Sequence, residues 1–168
     1  GAATVMGGQG DDKIRGGRSN DVLDGGTGND TIHGHFGNDT IQGGFGNDWL
    51  YGDEGQDRIQ GDPVDIVPTD DVDPRPILRR GGNDHIDGGS GNDTLRGMFG
   101  HDVITGDSGN DRIDGGSGND KIDAGYGDDV VHGGYGNDTI EGNWGNDSLS
   151  GNAGNDTIVG DPLDILPA

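Results

Sequence analysis

The sequence repeats itself every nine residues. From Gly7 to Gln60 it reads as six successive nonapeptides, beginning GGQGDDKIR, GGRSNDVLD and GGTGNDTIH. After an interruption at residues 61–78, nine more nonapeptides run from Arg79 to Val159. A short fixed period is typical of a solenoid, in which each unit contacts only its neighbours and stacking builds the core. The period therefore favours a repeat array over an ordinary globular domain.

Each nonapeptide divides into a turn and a short strand. The first five positions hold Gly, Asn and small polar residues, which favour a turn with positive φ angles. The eighth position is always Ile, Leu or Val, and the last three residues suit a short strand whose eighth-position side chain points inward. Alternating strands and turns predict an all-β fold, a flattened coil of eighteen residues per two repeats, with two strands facing each other across a thin core.

An aspartate occupies the sixth position of all fifteen repeats. Alternate repeats lie on the same edge, so these carboxylates should stack at the strand spacing, about 4.8 Å. Near neutral pH an unperturbed Asp, with a pKa of about 3.9, is ionised. Two such charges at this distance repel by roughly 3.5 kcal/mol at an effective dielectric of about 20. A cation should therefore lie between them.

The oxygen-rich turns favour a hard cation. Ca²⁺ accepts six to eight oxygens from carboxylates and carbonyls, whereas Mg²⁺ is smaller and holds its waters more tightly. We therefore predict calcium ligands at Asp12, Asp21, Asp30, Asp39, Asp48, Asp57, Asp84, Asp93, Asp102, Asp111, Asp120, Asp129, Asp138, Asp147 and Asp156.

Composition indicates that the ion also holds the fold. The chain has 39 glycines, only 26% hydrophobic residues and a formal net charge of −22. Low hydrophobicity with high net charge normally indicates disorder, and ordering so much glycine costs backbone entropy. Metal binding that exists only in the folded state adds to the free energy of folding. We therefore expect the chain to fold on binding calcium.

The same composition restricts partners and chemistry. An acidic chain repels nucleic acid, no apolar run approaches the roughly 18 residues that span a bilayer, and there is no cysteine. No nucleophile, base and orienting group assemble, so we expect no enzyme activity. The histidines occupy scattered repeat positions and are interpreted as surface residues rather than transition-metal ligands: His33, His35, His85, His101 and His132.

Two proline-rich stretches delimit the repeats. All six prolines lie in residues 61–78 or in the C-terminal GDPLDILPA, and proline removes a donor from a strand ladder. The predicted organisation is a first block at 1–60 that starts with a degenerate half-repeat, a loop or irregular coil at 61–78, a second block at 79–159, and an exit or cap at 160–168. The loop is interpreted as a spacer, with a partner-binding loop as the alternative.

The repeat resembles the RTX nonapeptide G-G-x-G-x-D-x-U-x, the calcium-binding β-roll of bacterial exported toxins, lipases, proteases and adhesins. The resemblance covers about 135 of 168 residues. It implies a right-handed parallel β-roll, a two-sheet solenoid in which turn carbonyls and sixth-position aspartates of successive coils enclose Ca²⁺. The sequence departs from the pattern at Arg79 and Arg80, at Ser19 and at Ala124, each of which replaces a glycine.

The resemblance also implies a function. Such a chain is a calcium-binding, monomeric module of a longer exported protein. It stays unfolded in the low-calcium cytosol, passes through a type I secretion apparatus, and folds outside the cell, secreted or at the bacterial surface. Two alternatives stay open: an adhesion or surface-recognition array, and a module appended to an enzyme. Ice binding is disfavoured, because the third position holds Thr only at Thr27.

Aromatic residues fill the third position of six repeats. They are expected to pack on the turns, with a sugar-binding strip as the alternative, and Tyr126 and Trp144 share an edge one coil apart, where they are expected to stack. The six are Phe36, Phe45, Phe99, Tyr126, Tyr135 and Trp144.

The aspartate columns predict an ion count. The gaps between successive aspartates number four in the first block and seven in the second, so about eleven calcium ions are expected. If the blocks stacked directly, Asp48 would face Asp84 and Asp57 would face Asp93, giving thirteen. We expect the blocks to stay apart, because Arg79 and Arg80 occupy the junction turn and could place a guanidinium where a cation would lie.

Overall fold

A computed structural model of the chain describes residues 1–62 and 81–161. It confirms the predicted fold class. Within these residues the secondary structure is all β, and the strands form two parallel sheets of eight strands each, stacked as a β-roll. No candidate transmembrane helix occurs in either range.

The two sheets take alternate strands of the chain. Within each sheet the strands follow one another in sequence order, and between two neighbours the chain passes through one strand of the other sheet. The first sheet contains β1 (Thr4–Gln9), β3 (Val22–Thr27), β5 (Thr40–Phe45), β7 (Arg58–Gln60), β9 (Thr94–Phe99), β11 (Arg112–Ser117), β13 (Val130–Tyr135) and β15 (Ser148–Ala153). The second contains β2 (Lys13–Gly17), β4 (Thr31–Phe36), β6 (Trp49–Glu54), β8 (His85–Asp87), β10 (Val103–Thr105), β12 (Lys121–Asp123), β14 (Thr139–Glu141) and β16 (Thr157–Val159).

The strand register follows directly from the repeat. One coil is two nonapeptides, so within each block every residue lies beside the residue eighteen positions later. In the first sheet Val5 pairs with Leu23 and Leu23 with Ile41. In the second, Ile14 pairs with Ile32. Because side chains alternate between the faces of a strand, this register stacks all eighth-position side chains in two facing columns.

Those columns form the core that the sequence predicts. Leu149 is only partly buried against it, and Ile158, in the last coil, is 45% exposed. The predicted cap at 160–168 falls almost wholly outside the described residues. The buried eighth-position side chains are Ile14, Leu23, Ile32, Ile41, Leu50, Ile59, Ile86, Leu95, Ile104, Ile113, Ile122, Val131 and Ile140.

The two blocks stack directly on each other, and the expectation that they stay apart is wrong. β6 pairs with β8 and β7 with β9, with Leu50 beside Ile86 and Ile59 beside Leu95. The interruption is as long as one coil, so the second block resumes in the same phase and on the same edges, and the apolar columns continue across it. Arg79 and Arg80 lie outside the described residues, and the boundaries of the predicted loop remain a prediction.

Asp62, the last described residue before the gap, is held by three hydrogen bonds. Its side chain is buried, its Oδ1 accepts the backbone N–H of Gly82 at 3.0 Å, and its Oδ2 accepts that of Phe99 at 3.2 Å. Its carbonyl also accepts a hydrogen bond from Nε2 of Gln60 at 2.6 Å. One carboxylate thus joins the last residues of the first block to the first residues of the second.

Candidate metal centre

The sixth-position aspartates line both edges of the roll in unbroken columns. Each precedes a strand, at the end of the glycine-rich turn. One column contains Asp12, Asp30, Asp48, Asp84, Asp102, Asp120, Asp138 and Asp156, and the other contains Asp21, Asp39, Asp57, Asp93, Asp111, Asp129 and Asp147. All of them are buried except Asp12, Asp147 and Asp156, which lie near the ends and are half-buried.

One carboxylate oxygen of these aspartates accepts a hydrogen bond from the backbone of the preceding coil. Oδ1 of Asp30 accepts the backbone N–H of Asp12 at 2.8 Å, and Oδ1 of Asp120 accepts that of Asp102 at 2.9 Å. The same bond recurs at every sixth-position aspartate except Asp12, which begins its column. These bonds join each coil to the next along both edges.

The other carboxylate oxygen is buried and has no hydrogen-bond partner within the described part of the chain. A buried polar group without a partner costs about 1–3 kcal/mol, and more when it is charged. Thirteen such oxygens in two columns are therefore unfavourable unless a cation binds them. They are the Oδ2 atoms of Asp12, Asp21, Asp30, Asp39, Asp48, Asp57, Asp84, Asp93, Asp102, Asp111, Asp120, Asp129 and Asp138.

The first glycine of each repeat leaves open the space that these oxygens face. A Cβ built on Gly115 would lie 2.6 Å from Oδ2 of Asp120 and 2.6 Å from the carbonyl oxygen of Gly133, one coil later. At Gly16 the same construction meets Oδ2 of Asp21 at 2.6 Å and the carbonyl oxygen of Gly34 at 2.7 Å. A carboxylate oxygen and a backbone carbonyl oxygen therefore converge on a space that any residue larger than glycine would fill. We call this space, beside the first glycine of a repeat, a cradle. This all-oxygen set is the kind that Ca²⁺ binds.

Burial raises the pKa of the interior aspartates, because it removes water from the charged form. Neighbouring carboxylates raise the pKa further, and the backbone N–H bonded to Oδ1 partly offsets both effects. The pKa rises to about 6 at Asp48, Asp57 and Asp120, to about 7 at Asp93 and Asp111, and to about 8 at Asp84 and Asp102. The ordinary pKa assumed from the sequence is therefore wrong for these residues. A cation would favour their ionised form again.

Of the two departures that lie in described turns, Ser19 and Ala124, the second stands next to a column. Ala124 stands where other repeats have their first glycine, and it is fully buried. Its carbonyl oxygen still lies beside Gly106, where Oδ2 of Asp111 also lies 2.6 Å from a built Cβ. Its own methyl group, however, occupies the space that glycine leaves open next to the following aspartate, Asp129. By analogy with the Cβ built on Gly115, we expect this methyl group to narrow the space beside Asp129.

A second ladder runs along the exposed side of the turns, and the sequence analysis missed it. The fifth-position side chain accepts the backbone N–H of the fifth-position residue one coil later, as from Asn47 to Asn29 at 2.9 Å and from Asn83 to Asn47 at 2.7 Å. The imidazole of His101 takes the same role, accepting the N–H of Asn119 at 2.7 Å. The recurrence of Asn at this position was the signal that could have predicted it.

The expected aromatic stack is confirmed. Tyr126 and Trp144 lie one coil apart with ring centroids 6.2 Å apart and an interplanar angle of 11°. Both rings remain exposed, Tyr126 by 61% and Trp144 by 45%. They stand on the turns, away from the buried carboxylates.

Comparison with known proteins agrees with this geometry. A family model described as the RTX calcium-binding nonapeptide repeat matches residues 1–32, 33–63, 80–113, 87–122 and 123–158. These ranges cover most of the chain and contain every sixth-position aspartate. No curated protein matches the chain. The repeats are calcium-binding repeats, and the chain belongs to the RTX calcium-binding nonapeptide repeat family.

Proposed function

We propose that this chain is a calcium-folded module of an exported bacterial protein, in which Ca²⁺ ions between successive coils close the roll. The observation that carries the proposal is the set of thirteen buried, unpartnered Oδ2 atoms. Without a cation, each places a carboxylate oxygen in a dry site beside a backbone carbonyl, where either charge or protonation is costly. With a cation, the same oxygens become ligands.

The donor set favours calcium over other common cations. Interior cradles such as those at Gly16 and Gly115 combine a carboxylate oxygen with a backbone carbonyl oxygen from the next coil, so a bound ion would lose part of its water shell. Mg²⁺ dehydrates reluctantly and demands near-ideal octahedral geometry, whereas Ca²⁺ accepts six to eight oxygens in flexible arrangements. We propose that magnesium at the same concentration supports much less folding.

The direct stacking of the blocks supports thirteen ions rather than eleven. Eight aspartates on one edge leave seven gaps, and seven on the other leave six. The thirteen gaps equal in number the thirteen unpartnered oxygens. Two aspartates lack such an oxygen, and they are the last of their columns, Asp147 and Asp156. Each aspartate that is followed by another coil would therefore contribute one site.

We further propose that calcium acts as a folding switch for export. The net charge of −22 and the thin apolar core leave the metal-free chain close to the composition of disordered proteins. Such a chain would stay unfolded in a low-calcium cytosol, pass through a type I secretion apparatus, and fold as a monomeric, non-catalytic module outside the cell. The export route rests on membership of the repeat family, and the switch rests on the buried carboxylates.

Surface recognition is a second candidate function. The exposed stack of Tyr126 and Trp144 presents two aromatic faces on one edge of the roll. Aromatic faces suit the apolar faces of sugar rings, so a calcium-loaded roll could bind a glycan there. Glycan-array binding that is lost in Trp144→Ala, with unchanged calcium-induced folding, would favour this function.

Far-ultraviolet circular dichroism with and without calcium tests the leading proposal. We expect a largely disordered spectrum in EDTA and a β-sheet spectrum after Ca²⁺ is added in excess. Magnesium at equal concentration is the matched control and should produce little β-structure. An identical β-sheet spectrum in EDTA would show that the roll folds without metal and would overturn the proposal.

A further inference from the structure

Two histidines and an aspartate converge on the outer face of the second sheet. Nδ1 of His33 lies 3.3 Å from Oδ2 of Asp53, and Nδ1 of His35 lies 3.2 Å from the same oxygen. One nitrogen of each imidazole and one carboxylate oxygen lie within 4.8 Å of one another. The cluster shares no residue with the aspartate columns, although Asp53 and His35 interact electrostatically with Asp39 of one column.

The register of the roll builds the cluster. His33 and His35 are two residues apart on β4, so their side chains share one face of the strand. Asp53 on β6 pairs directly with His35. The backbone N–H of His35 also donates to Oδ2 of Asp53 at 3.1 Å, which fixes this oxygen beside both rings.

Two of the three residues have φ angles in the left-handed region that favours glycine, as do Met98, Asp107, Asn143 and Asn152 elsewhere in the roll. His35 has a φ of 75° and Asp53 a φ of 71°, at the second position of the repeat, where Gly26 and Gly44 have φ angles of 104° and 109°. A residue with a side chain in this region costs on the order of 1 kcal/mol or more. The roll therefore carries two strained residues side by side, and both contribute a metal-binding group.

An aromatic ring orients the third residue. The imidazole of His33 stacks on Tyr51 of β6 with centroids 4.3 Å apart and an interplanar angle of 5°. It also lies parallel to the ring of His35, at 5.6 Å and 17°. Stacking limits rotation of the His33 ring, so its Nδ1 is held toward Asp53 before any ion binds.

We propose that His33, His35 and Asp53 form a binding site for a divalent transition metal of the Zn²⁺ class. A tetrahedral ion with bonds of about 2.0–2.1 Å holds its ligand atoms about 3.3–3.4 Å apart, which matches the two distances to Asp53. Imidazole nitrogen suits Zn²⁺, Ni²⁺ and Cu²⁺, whereas Ca²⁺ takes oxygen ligands. The site would therefore select a different ion from the columns.

The three side chains are partly exposed, so a bound ion would be accessible to solvent. The side chains of His33, His35 and Asp53 are 33%, 41% and 34% exposed. Three protein ligands leave one coordination position of a four-coordinate ion facing solvent. Water or a donor group from another molecule would fill that position.

The chain contains its own control for this site. His132 on β13 occupies the same repeat position as His33, but Gly134 stands in place of His35, and Asn152, its pairing partner, stands in place of Asp53. His132 therefore tests whether one surface histidine on the roll is enough to bind the metal.

The experiment titrates Zn²⁺ into the whole chain in saturating Ca²⁺, which keeps the columns filled and the roll folded. Isothermal calorimetry should report one Zn²⁺ equivalent. His33→Gln and His35→Gly should each weaken this equivalent at least about tenfold, because each removes a ligand. His132→Gln should bind Zn²⁺ as the unchanged chain does.

These variants are chosen to keep the fold. Gln already fills the position of His33 in neighbouring repeats, at Gln42 and Gln60, and Gly is the usual residue at the position of His35. Circular dichroism in Ca²⁺ should therefore be unchanged in both variants. Co²⁺ provides an independent readout, since tetrahedral coordination should give visible absorption bands that disappear in His33→Gln.

Two results would overturn the proposal. One is the absence of a Zn²⁺ equivalent in the calcium-saturated chain, in which case the three residues form only a histidine–aspartate ion-pair cluster. The other is Zn²⁺ binding that persists unweakened in the double variant His33→Gln/His35→Gly, which would place the ion elsewhere on the acidic surface.

Discussion

The backbone N–H of Asp48 donates to Oδ1 of Asp84 at 2.9 Å, although thirty-six residues of sequence separate them. Everywhere else in this column the same bond joins residues eighteen apart, as from Asp30 to Asp48 at 2.8 Å. The bond at the junction is therefore of the same kind and length as its neighbours. Both the hydrogen-bonded column and the row of buried oxygens continue through the interruption.

Continuity of the columns predicts thirteen bound calcium ions. Native mass spectrometry of the whole chain in calcium should give this count, including one ion between Asp48 and Asp84 and one between Asp57 and Asp93. A count of eleven would mean that the two junction gaps stay unfilled despite the continuous ladder. Five or fewer would contradict stacked sites altogether.

An interior aspartate should matter more for calcium-induced folding than a terminal one. Asp120 accepts a backbone hydrogen bond from Asp102, donates one to the carboxylate of Asp138, and has a buried, unpartnered Oδ2. Asp156 is half-buried at the end of the same column. Asp120→Ala should therefore remove ligands from two gaps, and Asp156→Ala from one.

Calcium titrations followed by circular dichroism measure this difference. We expect Asp120→Ala to raise the calcium midpoint by about twofold or more, since metal binding and folding are coupled, and Asp156→Ala to raise it less. Equal midpoints for the two variants would show that neighbouring coils do not share their aspartates.

The nine-residue period of the sequence was enough to predict the fold and the columns, because two repeats make one coil and the coil length determines the strand register. An eighteen-residue coil places Leu23 beside Ile41 and each sixth-position aspartate beside the next. It could not predict that the two carboxylate oxygens would differ, with Oδ1 bonded to the backbone and Oδ2 left without a partner. That division depends on the local geometry of the turn, which residue types alone do not specify.

Two other features needed the register to be applied to single residues. The residue eighteen positions after His35 is Asp53, so the eighteen-residue register places the two side by side. The repeat positions of the histidines alone do not predict the cluster, because it forms only between residues on neighbouring strands. The cationic residues Arg79 and Arg80 predicted a broken junction, but the length of the interruption determines how the blocks stack. A length equal to one coil keeps the apolar columns in phase, and burying Leu50 against Ile86 follows from that.

The first glycine of an interior repeat should be essential for its cradle. In Gly115→Ala the new Cβ would lie 2.6 Å from Oδ2 of Asp120 and 2.6 Å from the carbonyl oxygen of Gly133, so one of them must move. We expect a loss of about 1–3 kcal/mol in the stability of the calcium-loaded form, as for overpacking of a core. Gly160→Ala is the control, because no atom of the described residues lies within 4 Å of its built Cβ.

Thermal unfolding in saturating calcium measures both variants. The reverse change, Ala124→Gly, removes a methyl group from the cradle at Asp129 and should lower the calcium midpoint. If Gly115→Ala were as stable as the unchanged chain, the space beside the first glycine would have no part in holding the ion.

The stability of the metal-free roll should fall as the pH rises. Burial raises the pKa of Asp84 and Asp102 to about 8 in the folded state, from the ordinary Asp value of 3.8. Between these values the folded chain binds more protons than the unfolded chain, so its stability decreases with increasing pH. The contribution of each group is fully present below about pH 4 and is lost as the pH rises through about 8. In EDTA we therefore expect more β-structure at pH 4–5 than at pH 8, measured by circular dichroism.

Protons would then substitute in part for calcium, and the calcium affinity should fall as the solution is acidified from pH 8 to pH 4. Asp102→Asn tests the cause, because an amide cannot ionise and should make the metal-free chain less sensitive to pH. Greater β-structure in EDTA at pH 8 than at pH 5 would contradict the buried, pKa-shifted columns.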